Sequence, residues 1–311
     1  MKKYAIGADI GGSHISCAVI DLDKESILKE TFATQKVDNQ ASADAILDNW
    51  TIALRKSLAH IDRTQLAGIG FAMPGPFDYA NGIAMFTESV AKYQNLHGIN
   101  VADRLKENLG LNGSTGVRFM NDASAFAIGE AWLGKAAKED RSVSITLGTG
   151  FGSAFVDNGV VVVERDDVPK LGCVWHLPYH DGIADDSFST RWFIKEYASH
   201  SNHQAEGVKE IAVKATSDPI AKEIFVEFGN NLGEFLGPWL KKFQAKALVI
   251  GGNVTGAYNL FGKPFEQALK KQNVTAAIHI SDQMEDSAII GSARMFDPVF
   301  WEKIKPLLPK M

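Results

Sequence analysis

The stretch DIGGSHISCAVID, residues 9–21, places an aspartate, two adjacent glycines and a serine between two apolar runs. Residues 4–8 form a short apolar run that predicts a buried strand. Residues 15–20 alternate with the period of two that a second strand requires. Because glycine has no Cβ, the turn between them could be a tight hairpin or could approach a phosphate group closely. On this segment alone, the hairpin is the better interpretation.

A second segment repeats this layout. RSVSITLGTGFGSAFVDNG, residues 141–159, again reads as a strand, a glycine-dense turn with a hydroxyl, and a second strand. This similarity predicts two related α/β halves. A third strand, ALVIGGN, residues 247–253, also ends in a glycine pair. Three such segments favour a nucleotide site over three unrelated hairpins, and the candidate nucleotide-binding residues are Gly11, Gly12, Ser13, Thr146, Gly148, Thr149, Gly150, Gly251, Gly252 and Asn253.

Length and composition limit the classes of protein to consider. At 311 residues the chain is long for one core, and two α/β domains are expected. The net charge of -5 argues against a nucleic-acid partner or an anionic membrane surface. Two cysteines cannot form a disulfide framework, and no apolar run approaches the length of a membrane span or a signal peptide. These features predict a soluble, cytoplasmic protein.

Two aspartates are candidates for the chemistry. Asp9, beside the first glycine pair, could hold Mg²⁺ through water next to bound phosphates, or could only hydrogen-bond its own turn. Asp122 lies where a strand meets a helix start, and the helix dipole there favours its ionised form. Such a carboxylate suits a general base in phosphoryl transfer. The alternative, that Asn121 and Asp122 only cap the helix, is equally good on this stretch alone.

The order of the motifs resembles a known family. Six segments appear in the order seen in the ROK family of sugar kinases and repressors, namely DIGGSHISCAVID, PGPFDYANGIA, NDASAFAIGEAWLG, TLGTGFGSAFVDNG, VIGGNVTGA and DSAIIGSARMF. The resemblance covers nearly the whole chain. It implies the two-domain actin-like ATPase (ribonuclease H-like) fold, with a cleft between the domains. With the motif order, it predicts a smaller domain of residues 1–121 plus 291–311, a larger one of residues 122–290, and a homodimer.

The resemblance also assigns roles to individual residues. It implies an ATP- and Mg²⁺-dependent kinase that phosphorylates the primary hydroxyl of a hexose, with glucose as the default. Asp9, with Mg²⁺, and the DIGGS glycines would form the first phosphate segment, and residues 148–150 the second. The glycine pair of residues 251–252 would approach the adenosine. Asp122 would be the catalytic base, with Gly75 and Asn121 contacting the sugar.

The chain departs from the family in LGCVWHLPYHDGIADDSFSTRWF, residues 171–193. Many members have a Glu-x-Gly-His element here, followed by cysteines that bind structural zinc. His176 matches the family histidine, but Cys173 replaces the sugar-binding glutamate and Asp185 replaces a second one. Ser89 stands where an asparagine is common. The zinc cysteines are absent, so no structural zinc is expected.

The spacing of Cys173, His176 and His180 also matches half of a metal site. Structural zinc usually has four ligands, and no second cysteine is available in this stretch. His176 is therefore interpreted as a partner of a sugar hydroxyl, and His180 as a surface residue.

Other functions compete with a glucose kinase. The altered sugar-site positions leave room for a kinase of an N-acetylated hexose or of fructose, or for a non-catalytic sugar-binding protein. A repressor of the family would carry a helix-turn-helix segment ahead of the body. Here the first phosphate segment begins at residue 9, which argues against that class.

Overall fold

The structure is a computed structural model that describes residues 2–87, 92–111, 113, 115–201 and 203–311. The chain divides into two compact units, and each is described by itself. The first unit comprises Met1–Ala137 and Gln283–Met311, and the second comprises Lys138–Asp282.

Strands and helices alternate along the chain. The strands are β1 (Tyr4–Ile10), β2 (His14–Asp21), β3 (Ser26–Lys36), β4 (Leu66–Met73), β5 (Phe77–Asp78), β6 (Ile83–Ala84), β7 (Gly116–Asn121), β8 (Arg141–Leu147), β9 (Phe151–Asp157), β10 (Val160–Val161), β11 (Pro178–Tyr179), β12 (Gly182–Ile183), β13 (Ala247–Gly251) and β14 (Ala277–Ile280). The helices are α1 (Ala43–Leu58), α2 (Val101–Leu109), α3 (Asp122–Leu133), α4 (Ala184–Ser187), α5 (Thr190–Ser201), α6 (Val208–Lys214), α7 (Pro219–Phe243), α8 (Tyr258–Lys271), α9 (Glu285–Ala293) and α10 (Pro298–Ile304).

The two units contain sheets of the same design. The sheet of the first unit has the strand order β3-β2-β1-β4-β7, and that of the second has β10-β9-β8-β13-β14. In the first, β1 and β2 form an antiparallel hairpin, while β4 and β7 run parallel to β1. In the second, β8 and β9 form the hairpin, while β13 and β14 run parallel to β8. The similarity predicted from the two glycine-rich segments is therefore present in the strand topology.

Local sequence explains several element boundaries. The Ser42 hydroxyl accepts a hydrogen bond from the N–H of Ala45 at 3.3 Å and so begins α1. The apolar face of α1 is buried, including Ile46, Trp50 and Leu54. In the described residues, no helix is both long and apolar enough to cross a membrane.

Helices α3 and α9 cross at close range within the first unit. A Cβ added to Gly129 would lie 1.9 Å from the carbonyl oxygen of Ser287, and one added to Gly291 would lie 1.9 Å from that of Ala125. Both helices therefore belong to one packed unit. The observed units divide after residues 137 and 282, whereas the predicted domains divided after residues 121 and 290.

Candidate active site

The strand register of the first unit brings the predicted residues to one edge of its sheet. Asp9 pairs with Ala72 across the parallel β1 and β4, and Met73 pairs with Asn121 across the parallel β4 and β7. The carboxyl ends of three neighbouring strands therefore meet at this edge. They present Asp9, the loop after Met73 and the start of α3. In open α/β sheets, ligands bind at this end of the strands.

Asn121 and Asp122 have different contacts at the start of α3. The Asn121 Oδ1 accepts the N–H of Ser124 at 3.1 Å, which makes Asn121 the N-cap. The Asp122 Oδ1 accepts the N–H of Ala123 at 2.8 Å and the Asn121 Nδ2–H at 2.9 Å. Capping thus falls to Asn121, while these two donors orient the Asp122 carboxylate.

A tyrosine connects the predicted sugar-site residues of the first unit. The Tyr79 hydroxyl donates to the carbonyl of Met73 at 3.0 Å and lies 3.5 Å from the Asn121 Nδ2. A Cβ on Gly75 would lie 3.4 Å from the same hydroxyl. Gly75, Asn121 and Asp122 are therefore brought together around Tyr79, which the sequence reasoning did not identify.

The two candidate carboxylates have shifted acidities. Burial, and then the negative charges of Asp122 and Glu285, raise the pKa of Asp9 to about 8. Burial also raises the pKa of Asp122, opposed by the Ala123 N–H and by the positive charge of Lys92. Two carboxyl groups with raised pKa values at one sheet edge are typical of a functional site.

Two side chains that are distant in sequence hold the DIGGS turn between β1 and β2. The Tyr93 hydroxyl donates to the carbonyl of Gly11 at 2.6 Å, and the Asn39 Nδ2 donates to the carbonyl of Gly12. The N–H of Tyr93 also donates to the Asn39 carbonyl at 3.1 Å. The turn is a hairpin, as its local sequence predicted, and these contacts hold the two glycine carbonyls in place.

The TLGTG turn of the second unit is held in a comparable way. The N–H of Gly148 donates to the carbonyl of Gly150 at 3.0 Å, and the carbonyl of Gly148 accepts the N–H of Thr190 at 2.8 Å. The N–H of Phe151, the next residue, donates to the Asp185 Oδ1 at 2.6 Å. Asp185 in α4 and Thr190 at the start of α5 therefore fix both ends of the turn.

The third glycine segment lies beside the second. Thr146 pairs with Gly251 across the parallel β8 and β13, so the TLGTG and IGGN segments follow adjacent strands. Gly252 has a φ of 87°, and a Cβ there would lie 2.3 Å from the carbonyl oxygen of Leu147. Only glycine fits this position. Asn253 then begins a short 3₁₀ turn, and Thr149 lies within the TLGTG turn itself.

Asp185 is engaged at both of its carboxylate oxygens. Its Oδ1 accepts the N–H of Phe151, and its Oδ2 accepts a hydrogen bond from the Arg191 guanidinium at 2.5 Å. In this arrangement Asp185 supports the TLGTG turn. Its assignment as a sugar contact stays a prediction.

Cys173 and His176 form a neutral pair in the second unit. The Cys173 Sγ lies 3.7 Å from the His176 Nδ1. Burial raises the pKa of the Cys173 thiol to about 11, so it is protonated at neutral pH. Burial, with the nearby charge of Lys170, lowers the pKa of His176, which keeps its imidazole neutral. The pair can exchange hydrogen bonds with hydroxyl groups but brings no negative charge.

The described residues hold no cluster of metal-ligating side chains. Nowhere in them do three or more His, Cys, Asp or Glu side chains come together so as to hold a metal ion. The His180 ring packs against that of Tyr179 at a tilt, with ring centroids 4.2 Å apart. The expected lack of structural zinc stays a prediction.

Ser89 lies outside the described residues, so the structure says nothing of its predicted sugar contact. Asn39, Lys92 and Tyr93 surround the predicted residues but lie outside the six family-like segments, and Tyr79 lies within PGPFDYANGIA without an assigned role. No local signal identifies them, because Tyr93 is 82 residues from its partner Gly11 in sequence.

Comparisons with known proteins agree with this arrangement. The ROK family model matches residues 5–166, which is more than half of the chain. The chain belongs to the ROK family. A glucokinase of Thermotoga maritima is 25% identical over 94% of this chain and 96% of its own length. An N-acetyl-D-glucosamine kinase of Haemophilus influenzae is 31% identical over 56% of this chain and 53% of its own.

Solved structures of the ROK family share the fold. A ROK hexokinase from Thermus thermophilus superimposes with a TM-score of 0.74 at 20% identity, covering 97% of this chain and 99% of that one. The predicted actin-like ATPase fold and the predicted membership among the ROK sugar kinases are confirmed. This ROK protein is a sugar kinase.

Proposed function

We propose that this ROK protein is an ATP-dependent hexose kinase that phosphorylates a primary hydroxyl, with glucose as its substrate and Asp122 as the general base. The observation that carries the proposal is the position of Asp122. Asp122 is the first residue of α3, at the sheet edge that also presents Asp9 and the DIGGS turn. The glucokinase relative, aligned over nearly its full length, supports the choice of sugar.

The chemical step needs one proton acceptor. The hydroxyl oxygen of the sugar forms a bond to the γ-phosphorus of ATP while its proton passes to Asp122, and the bond from that phosphorus to the β,γ-bridging oxygen breaks to release ADP. Burial makes Asp122 a stronger base than an exposed aspartate, and the Ala123 N–H fixes its orientation. The Asn121 amide and the Gly75 backbone would bind the sugar beside it.

The glycine-rich segments would bind the nucleotide. In the first unit, Tyr93 and Asn39 occupy the carbonyls of Gly11 and Gly12, which leaves the amides of residues 12–13 and the Ser13 hydroxyl to meet a phosphate. In the second unit, residues 148–150 would provide further amides and hydroxyls, together with Thr146. The glycine pair that ends β13, followed by Asn253, would approach the adenosine.

Asp9 has the properties of a magnesium-binding carboxylate. It is half-buried, and burial together with nearby negative charge raises its pKa to about 8. A divalent cation would relieve this repulsion. A single carboxylate is a sufficient protein ligand, because Mg²⁺ usually keeps several waters and takes its other ligands from substrate phosphates. When bound, Mg²⁺ would neutralise charge on the transferred phosphoryl group, and Asp9 would hold it through water.

The second candidate substrate is an N-acetylated hexose. It is favoured by the N-acetyl-D-glucosamine kinase relative and by the neutral pair of Cys173 and His176. A thiol in place of a carboxylate accepts hydrogen bonds from hydroxyls less strongly, which weakens selection for a free hydroxyl. His176 remains the proposed hydroxyl partner, and Ser89 and Asp185 remain predicted sugar contacts.

Measurement of ADP formation over a panel of sugars tests the function. Glucose, mannose, fructose and N-acetylglucosamine should be supplied with Mg·ATP, and ADP release coupled to a spectrophotometric assay. We expect sugar-dependent ADP formation, with the highest kcat/KM for glucose. Preference for N-acetylglucosamine would select the second candidate. A protein that binds a sugar in calorimetry but forms no ADP with any of them would be a non-catalytic binding protein.

The pH dependence of kcat/KM follows from the acidity of Asp122. Only the ionised carboxylate can accept the proton, and burial raises its pKa, so the inactive acid persists to higher pH than for an exposed aspartate. The Ala123 N–H, the positive charge of Lys92 and the Asn121 side chain oppose this rise in its pKa. Activity should rise with pH along a limb whose midpoint lies above about 4, the ordinary aspartate value. A midpoint at or below that value would show that the limb does not report a buried base.

Removal of the Tyr93 hydroxyl should weaken nucleotide binding. Tyr93→Phe keeps the ring but leaves the part-buried Gly11 carbonyl without its donor, which costs about 1–3 kcal/mol and loosens the DIGGS turn. We expect the KM for ATP to rise about fivefold or more. Tyr197→Phe is the matched control, because its hydroxyl donates at 2.8 Å to Asp218 at the start of α7. An equal rise in both variants would show that the effect is not local to the turn.

The sequence also predicts properties of the whole protein. A cytoplasmic location and a homodimer stay predictions, as does the lack of a nucleic-acid or membrane partner. Sedimentation of the purified protein would test the dimer.

A further inference from the structure

Lys92 lies directly beside the DIGGS turn. A Cβ built on Gly12 would be 3.1 Å from both the Cε and the Nζ of Lys92, and 3.5 Å from its Cδ. The end of this side chain therefore covers the face of the turn where Gly12 has no side chain of its own. Among the residues that the structure describes, Lys92 forms no ion pair with a carboxylate.

The backbone next to Lys92 is firmly anchored. Tyr93 is fully buried, with its ring 5.5 Å from that of Trp50 and 5.9 Å from that of Phe86. Its hydroxyl and its N–H bind Gly11 and Asn39, as described above. The position of Lys92 relative to the glycine turn is thus set by the same contacts that shape the turn.

The negative charge at this sheet edge favours a cation there. Asp9 and Asp122 place two carboxyl groups at this sheet edge, and a nucleoside triphosphate would add several negative charges. The positive charge of Lys92 acts on the Asp122 carboxylate and lowers its pKa. Lys92 is therefore near both the phosphate turn and the base. A lysine ammonium is a compact point charge that binds phosphate oxygens well.

We propose that the Lys92 ammonium binds the terminal phosphoryl group of the nucleotide, the group that is transferred. The inference rests on the proposed function, and it adds a catalytic residue that the sequence motifs do not contain. Lys92 is assigned to the terminal phosphoryl group because the phosphorus of that group must approach the hydroxyl that Asp122 deprotonates. As the bond to the leaving oxygen breaks, the ammonium offsets negative charge on the oxygens of the transferred group.

The test compares a triphosphate with a diphosphate. The dissociation constants of Mg·AMPPNP (the β,γ-imido analogue of ATP) and of Mg·ADP should be measured by calorimetry for the wild type, Lys92→Met and Lys92→Arg. We expect Lys92→Met to weaken AMPPNP binding about tenfold, the effect of losing one charged hydrogen bond, and to change ADP binding less than about twofold. Lys92→Arg should keep most of the affinity for AMPPNP. Lys106→Met, a change at a half-exposed lysine of α2, should alter neither constant.

Turnover gives a second measurement for the same variants. We expect the kcat of Lys92→Met to fall about 100-fold, as when one donor to a developing oxyanion is removed. Equal affinities of Lys92→Met and wild type for AMPPNP, or an equal loss for AMPPNP and ADP, would overturn the proposal. If the wild type forms no ADP with any sugar, the proposed function fails, but the two dissociation constants still decide whether Lys92 binds the terminal phosphate. Should Lys92→Met not fold, Lys92→Gln replaces it in the same comparison.

Discussion

Asp122→Asn is expected to lower kcat by about 10³-fold, within the range for losing a general base. The carboxamide cannot accept the hydroxyl proton at neutral pH. The substitution should be mild structurally, because the amide oxygen can still accept the N–H of Ala123 and because Asn121, not Asp122, caps α3. The loss should therefore fall on the chemical step and leave the fold intact.

Two measurements separate loss of the base from loss of the site. The dissociation constant for the sugar, measured by calorimetry, should change less than about threefold in Asp122→Asn. Asp103→Asn, at an exposed ion pair with Lys106 in α2, is the matched control and should keep wild-type kcat. If Asp122→Asn kept kcat within tenfold of the wild type while still binding sugar, another group would have to be the base.

Gly291→Ala is expected to destabilise the first unit by about 3 kcal/mol, at the upper end for overpacking. On an exposed helix this change would add stability, because alanine has the higher helix propensity. Here the new Cβ would lie 1.9 Å from the carbonyl oxygen of Ala125 and 2.8 Å from the N–H nitrogen of Gly129. Both are backbone atoms of α3, so α9 would have to move away from it.

Urea unfolding measures this effect. Gly256→Ala is the matched control, because a Cβ on Gly256 meets no atom within 4 Å, and its stability should stay within about 0.5 kcal/mol of the wild type. If Gly291→Ala and Gly256→Ala unfolded at the same urea concentration, α3 and α9 would not be in close contact. The assignment of residues 283–311 to the first unit would then lose its physical basis.

Local patterns predicted much of the fold. The hairpins around DIGGS and TLGTG follow from alternating strands with glycine turns, and both occur with the same strand order in their sheets. The start of α3 follows from the Asn-Asp pair after a short strand, with Asn121 as the cap. These features depend on residues close in sequence, which a pattern can report.

Contacts between distant residues explain what the sequence did not reveal. Helices α3 and α9 bury residues on all sides, so their apolar patterns do not show which partner they face. The predicted boundary after residue 121 placed α3 outside the smaller domain, and the one after residue 290 fell within α9. Likewise, Asn39 and Tyr93 reach the DIGGS turn from 27 and 82 residues away. The engagement of both oxygens of Asp185 depends on the folded loop, which a matching position in a family pattern cannot show.

Direct detection of phosphoryl transfer tests the central claim. The protein should be incubated with Mg²⁺ and ATP labelled at the γ-phosphate, together with glucose or with 6-deoxyglucose, which lacks the primary hydroxyl. We expect label in a sugar phosphate with glucose and none in a sugar product with 6-deoxyglucose. Label in inorganic phosphate alone, or equal labelling of the two sugars, would contradict it.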